Sequence, residues 1–271
     1  MNRQFDVIIV GDSNAGNAAV KSIAGANRKI KVAFISRDFK SSTTRDFLNV
    51  EYIKDELTYV DYNRGLFGCY LKSGVRNYCT HLIIATGLSY APFRVGNKVI
   101  PGVFNTVNEI PKAAKQQVAI ITGSNNDAAK LALAVAKKYK YVYFCTDVVK
   151  LTDSMSETLA KKLDMAENLL VINNASVAKA TFEENVLTGV TLDNYSKITC
   201  NAIFAITATT PETEFISEKL INKENGYLRT TDKAQSILVP KVFAIGSCAT
   251  KSTKKMQAAM VDAVLNDFIG G

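Results

Sequence analysis

Phe5-Asp-Val-Ile-Ile-Val-Gly-Asp-Ser-Asn-Ala-Gly-Asn-Ala-Ala-Val20 is the stretch whose reading decides the fold. An apolar run, Val7 to Val10, meets Gly11, then a turn of small residues, then an alanine-rich helical start. Strand, tight turn and helix in that order are what a dinucleotide pyrophosphate needs. Glycine permits the turn, a small residue lets the backbone approach the phosphate, and the helix N-terminus offers free N–H groups. The usual spacing is G-x-G-x-x-G, and here it is Gly11-x-Ser13-x-x-Gly16. The middle glycine is a serine, so the motif supports two readings: a bound dinucleotide, or a turn kept because the fold needs it.

Working outward, residues 15–24 read as a helix burying Ala15, Ala18, Ala19, Val20 and Ile23, with Gly25 and Asn27 as stop signals. Lys31 to Ser36 is a second buried strand and completes a right-handed β-α-β unit. An acidic side chain near the end of such a strand holds a ribose hydroxyl in dinucleotide folds. Asp38 is the candidate, against the plainer reading of a solvated loop aspartate. Residues 39–50 are turn-like, and strands are expected within 50–61, 66–71 and 78–87, the last ending in Ala85-Thr86-Gly87. Pro101-Gly102 and Pro111 read as a linker.

The pattern then recurs. Gln117 to Gly123 is again strand-to-glycine, 127–138 is a periodic helix, and Tyr141 to Cys145 is the strand after it. A repeated β-Gly-α-β unit indicates two nucleotide-type domains or a duplicated ancestor. The second copy reads Gly123-x-Asn125-x-x-Ala128, further from the glycine pattern than the first, and the retained-scaffold reading is favoured there. Short strands follow near 169–173, 177–182, 186–192 and 198–206, with a helix over 154–165 capped by Ser154 or Ser156. Glu224-Asn-Gly226 is a turn, 242–246 a buried strand, and 254–269 a closing amphipathic helix.

The totals narrow the class. In 271 residues, 47% hydrophobic and 21% charged content fits a globular chain with a real core. No apolar stretch is long enough to span a bilayer, and the N-terminus lacks a signal-peptide layout, so a cytoplasmic protein without membrane contact is expected. The net charge of +8 comes from scattered lysine pairs, which reads as a solvated surface rather than a nucleic-acid footprint. Five scattered cysteines without a C-x-x-C point to reduced thiols, not to a disulfide framework or a zinc site.

Four stretches carry a family resemblance: Asp6 to Gly11, Leu82 to Gly87, Glu224-Asn-Gly-Tyr-Leu-Arg-Thr-Thr-Asp232 and Val239-Pro-Lys-Val-Phe-Ala-Ile-Gly246. In order and spacing the chain resembles the low-molecular-weight thioredoxin reductases, in the flavin-dependent pyridine nucleotide–disulfide oxidoreductase superfamily. The resemblance implies an α/β fold of two Rossmann-like, three-layer nucleotide-binding domains, one inserted in the other. An FAD-type domain would take residues 1–107 and 240–271, and an NAD(P)-type domain 108–239. It implies FAD along Gly11, Ser13, Asn14, Ala15 and Gly16, with adenine on the strand at Leu57. Thr86, Gly87, Gly246, Ser247, Gln257 and Ala258 would border the rest of the flavin. NAD(P)H would use Gly123, Asn125 and Ala128, and a homodimer would be the assembly.

Several positions depart from that family. Residues 105–116, where the resemblance places the redox C-x-x-C, hold no cysteine, so no neighbouring dithiol can pass electrons to a disulfide. The cluster that would grip a 2′-phosphate reads Cys145-Thr-Asp-Val-Val149, the later glycine is Thr207, and the Gly-Asp pair is Gly246-Ser247. Only Phe39 to Asn49 stand where a glycine-rich loop, a flavin-covering segment and a helix are usual. The lone histidine, His81, reads as packed or surface rather than catalytic. Cys248, near Lys251, Lys254 and Lys255, is the one thiol placed close to the flavin, with a buried inert thiol as the plainer reading. The expected function is a flavoprotein oxidoreductase homologue unable to reduce disulfides through its own dithiol. The alternative is a non-catalytic descendant acting as a binding or regulatory protein.

Overall fold

The computed structural model describes residues 3–39, 47–106 and 114–269. Most of the loop read at 39–49 and the domain boundary read at 107/108 lie outside the described residues. The chain forms two compact units, Met1–Ser89 with Thr210–Gly271, and Tyr90–Thr209.

The first unit begins with β1 (Arg3–Val10), α1 (Asn14–Ala26) and β2 (Val32–Ser36). β3 (Val50–Lys54), β4 (Leu57–Asn63), β5 (Leu66–Leu71) and β6 (Arg76–Ile84) follow. Their sheet runs β3-β2-β1-β6-β5-β4, and β21 (Val242–Ala244) also joins β6. β3, β2, β1, β6 and β21 are mutually parallel, whereas β4 and β5 are antiparallel additions. The long β6 serves both: its first half pairs with β5 at Arg76–Cys79, and its second half pairs with β21 at Leu82–Ile84. The parallel strands are apolar on both sides because both faces are covered. Ile8, Val10, Leu82 and Ile84 pack on one face, and Ile9, Phe34, Ile83 and Phe243 on the other.

α1 and the closing helix α4 (Lys254–Ile269) lie on the second face and bury Val20, Ile23, Met260 and Val264 there. α1 runs through Gly25, an expected stop, and ends at Asn27, whose amide bonds the Ile23 carbonyl at 3.2 Å. A helical glycine costs only about 1 kcal/mol relative to alanine, too little to end a well-packed helix. Ala18, expected inside, is exposed.

β7 (Leu88–Tyr90) spans the boundary between the units, and in the second unit β8 (Arg94–Val95) and β9 (Lys98–Val99) precede β10 (Val103–Phe104). β11 (Val118–Thr122), α2 (Asn126–Ala136), β12 (Tyr141–Cys145), α3 (Glu157–Asp164) and β13 (Leu169–Ile172) follow. Next come β14 (Val177–Glu183), β15 (Val186–Leu192), β16 (Lys197–Thr199) and β17 (Ala202–Ala205). The main sheet is parallel, β10-β17-β11-β12-β13, and β14-β15-β16 form an antiparallel meander. β18 (Thr209–Pro211), where the chain returns to the first unit, pairs with β7, and within the first unit β19 (Lys223–Glu224) pairs with β20 (Tyr227–Leu228). The Asn225-Gly226 turn between the last two has φ of 51° and 83°, the two positive values of a primed hairpin turn.

The unit boundaries differ from the sequence reading for a packing reason. Segment 90–106 was expected with the first domain, yet Val103 pairs with Ile203, and Phe93, Val95 and Ile100 pack on the second unit's core. Segment 210–239 was expected with the second domain, yet Ile216, Leu220, Ile221 and Leu228 are buried with Ile8 and Leu82 in the first. Pro101-Gly102 makes a local turn rather than a domain linker.

Candidate functional site

Because β1, β2, β6 and β21 are parallel, Gly11, Ser36–Arg37, Ala85–Gly87 and Ile245–Gly246 all emerge at one edge of the sheet, the carboxyl edge where open α/β sheets bind ligands. Gly11 has φ +104°, and a Cβ there would stand 2.5 Å from the Ala85 carbonyl oxygen and 2.6 Å from Thr86 Cα. A Cβ on Gly16 would stand 2.1 Å from the Gly11 carbonyl oxygen. Both glycines are thus demanded by the strand–turn–helix packing itself.

Position 13 is different. Ser13 is the N-cap of α1, and its hydroxyl accepts the Gly16 amide at 3.1 Å. The amides of Asn14 and Ala15, the first two of the helix, have no carbonyl one turn back to bond, and no acidic side chain stands in this first turn. Just before the cap, Asp12 is buried at 7% exposure and its carboxylate accepts from the Asn17 side-chain amide. Asn17 also donates to the Ser13 carbonyl at 3.1 Å. Neither role of Asp12 nor that of Asn17 was read from the sequence, where both fall on unconstrained positions of the motif.

The other sequence-derived positions gather around this turn in part. Gly246 (φ +78°) sits so close that its Cβ would be 3.1 Å from that of Ala15. Its amide donates to Ser252 Oγ at 2.7 Å, and Gln257 Nε2 donates to the same oxygen at 3.3 Å. Ser247 Oγ lies 3.5 Å from where a Gly87 Cβ would stand. Thr86 Oγ1 donates to the Glu212 carbonyl at 2.6 Å, which fixes the return segment on the Gly87 turn. Ala15 and Ala18 of α1 face Lys254, Gln257 and Ala258 of α4 across a cleft of about 280 Å³.

Two candidates stand apart. Asp38 is 83% exposed and its carboxylate pairs with Lys54 at 2.7 Å. Leu57 is buried in the core beneath the sheet, leaving only its backbone at the strand's start. Arg37, between Ser36 and Asp38, pairs instead with Glu212. Glu212 belongs to the segment held on Thr86–Gly87, after β6, and Arg37 follows β2, so this ion pair crosses the end of the intervening β1. Nothing in the local spacing signals it, because its partners are far apart in sequence.

A family model described as pyridine nucleotide-disulphide oxidoreductase matches residues 43–263. The chain belongs to that family. The fold is that of the thioredoxin reductases. The Lactococcus lactis enzyme in its FR conformation superposes with a TM-score of 0.76 at 17% identity, covering 97% of this chain and 99% of that one. The T. acidophilum thioredoxin reductase gives 0.71 at 18% identity, with 98% and 99% covered. A ferredoxin reductase of the CYP199A2 system from Rhodopseudomonas palustris gives 0.73 at 15% identity, with 96% and 76% covered. No match is found among curated proteins.

All five cysteines are free and buried. Cys248, the one at the candidate site, is bonded to the Ile245 and Ile84 carbonyl oxygens at 3.3 and 3.6 Å. Burial pushes its thiol up from the ordinary value, which disfavours the nucleophilic thiolate. Cys145 and Cys200 are pushed up to about 12, chiefly by burial, and burial beside the Cys69 thiol raises Cys79 well above its usual range. Among the described residues no cluster of three His, Cys, Asp or Glu could hold a metal ion, and no helix is long and apolar enough to cross a membrane.

The two dinucleotides of the family fit the two units unequally. In the first, the Gly11 turn, the Asn14 and Ala15 amides and the Thr86–Gly87 and Gly246–Ser247 turns fit a dinucleotide diphosphate, with the buried Asp12 beside the turn working against it. In the second, Asn125 caps α2 by accepting the Asp127 and Ala128 amides at 3.1 and 2.9 Å, and Asp127 adds a carboxylate to the first turn. That helix start does not fit a nicotinamide dinucleotide.

Proposed function

We propose that the first unit binds FAD and that the protein is a flavin-dependent oxidoreductase working without a dithiol of its own. The observation that carries this reading is the convergence of three sequence-distant segments, Gly11–Gly16, Thr86–Gly87 and Gly246–Ser247, on one sheet edge, with Gln257 held beside the last through Ser252. Bound there, FAD would supply one- or two-electron transfer. The Asn14 and Ala15 amides would donate to the diphosphate, aided by the positive end of α1. Gly87 and Gly246 keep the adjacent turns low enough to admit a ligand backbone-close, and Gln257 and Lys254 present polar groups at the cleft. Since every cysteine is buried, electrons leaving the flavin go to an acceptor that reaches the site from outside, not through a protein disulfide. A homodimer in a reducing, cytoplasmic setting completes this reading on the strength of family membership and the free thiols.

The second reading, a non-catalytic descendant that keeps the scaffold, is favoured by the buried Asp12 carboxylate beside the phosphate turn. The absorption spectrum of the purified protein, before and after incubation with FAD and desalting, separates the two. Near-stoichiometric flavin absorbance supports the oxidoreductase. Protein that stays colourless through the incubation eliminates it and leaves the scaffold reading.

A further inference from the structure

We propose that the second unit of this family member is not a pyridine-nucleotide site, and that its strand–turn–helix is retained as scaffold. Occupied amides, charge and packing carry this. A diphosphate at a helix start is held by the amides of the first turn. In α2 the Asn125 side chain already accepts two of the three, those of Asp127 and Ala128, whereas Ser13 of α1 takes only the Gly16 amide. The Asn126 side chain is committed as well, accepting the Ser156 amide at 2.8 Å.

Charge acts in the same direction. Asp127 puts a carboxylate on the first turn, 3.0 Å from Lys130 on the helix's own surface. A carboxylate is the natural partner of a helix N-terminus, and its charge opposes a phosphate approaching the same turn. The β12 end carries the exposed Asp147, whose charge opposes the 2′-phosphate of NADPH although an acidic side chain there suits the ribose hydroxyl of NADH. A 2′-phosphate is best gripped by the planar fork of an arginine, and the chain has no arginine between Arg94 and Arg229.

Finally, Gly123 has an internal explanation. Its Cβ would be 2.7 Å from that of Ala128, so the glycine is required by the turn's closure on its own helix. Position 125, the middle glycine of the pattern, is filled by a capping amide, and position 127 adds a carboxylate to the same turn. The positions that face the protein, 123 and 128, stay small.

This inference rests on residues 123–147 and stands whether or not the first unit binds FAD. The test uses the full chain, titrated with NADH and with NADPH up to about 1 mM, well above the range of ordinary cofactor affinities. Nucleotide fluorescence reports binding, and hydrogen exchange read by mass spectrometry locates it. The expected result is no saturable binding, or binding that leaves exchange at residues 123–130 unchanged because the nucleotide sits elsewhere. Saturable binding of either nucleotide with new protection of residues 123–130 would overturn the proposal.

Discussion

His81 is the only histidine, and at the residue scale it shows how a buried titratable group can serve the fold rather than chemistry. Its ring is buried on β6, Nε2 is 3.0 Å from Asp267 Oδ2, and Nδ1 is 2.9 Å from Thr80 Oγ1. Lys241 shares the same Asp267 oxygen at 3.0 Å, and Phe268 packs on the ring at 5.1 Å between centroids. Burial holds the imidazole below its ordinary range. The Asp267 hydrogen bond pulls it back up, and Lys241 pushes it down again. Native His81 therefore resists a proton that the unfolded chain accepts near pH ~6.5. Its contribution to stability is complete above that value and is lost as pH falls from there through the lower native value. Asp267 is held low, chiefly by Lys241, and its contribution fades only in more acid solution. In denaturant melts at about pH 7.5 and about pH 5.5, wild type should lose more stability than His81→Gln across the interval. Equal losses would show that this ring is not the titrating group. The partner could not be read from the sequence, because Asp267 lies at the far end of the chain and no local pattern links it to β6.

At the element scale the informative contrast lies within α1. Gly16 has no room for a side chain, since its Cβ would enter the Gly11 carbonyl at 2.1 Å. Ser13, one turn earlier, occupies space that the protein leaves open and uses it to cap the helix. Gly16→Ala should then destabilise the apo protein by about 1–3 kcal/mol, the usual cost of overpacking. Ser13→Gly should cost only a few tenths of a kcal/mol. On the flavin reading it should also tighten FAD binding by freeing the Gly16 amide. Chemical denaturation and FAD titration of the two variants check both halves, and an FAD affinity left unchanged by Ser13→Gly would remove the serine from any role in ligand control. The strand–turn–helix itself was legible, because the apolar run Val7–Val10 and the glycine after it are local signals. What Ser13 does was not. The spacing marks it as a lost glycine, whereas in the folded protein it is a cap with a defined acceptor role. The same holds for Asn125, whose amide oxygen takes two donors rather than one.

Across the whole molecule the repeated β-Gly-α-β unit made two domains legible, and the family resemblance implied that one is inserted in the other. The crossings were not legible, because proline and glycine mark turns wherever they fall, while unit membership is decided by which core a segment joins. Ile216, Leu220 and Ile221 carry no signal assigning them to Ile8 and Leu82 rather than to the sheet that precedes them, yet that is where they are buried. Each unit has its own sheet and its own hydrophobic clusters, so a ligand of the first should stabilise that unit alone. FAD at about a hundredfold its Kd should contribute about 2.7 kcal/mol to the state that binds it. In hydrogen exchange of the full chain, slowed exchange should then appear in residues 1–89 and 210–271, including segment 210–239, and not in 90–209. Protection that spreads evenly over both sets would mean that the units open as one cooperative block. Protection that stops at 239/240 would restore the boundary read from the sequence. The core packing of Leu220 and Leu228 on β6 argues for the first pattern, because exchange in their segment requires the first unit's core to open.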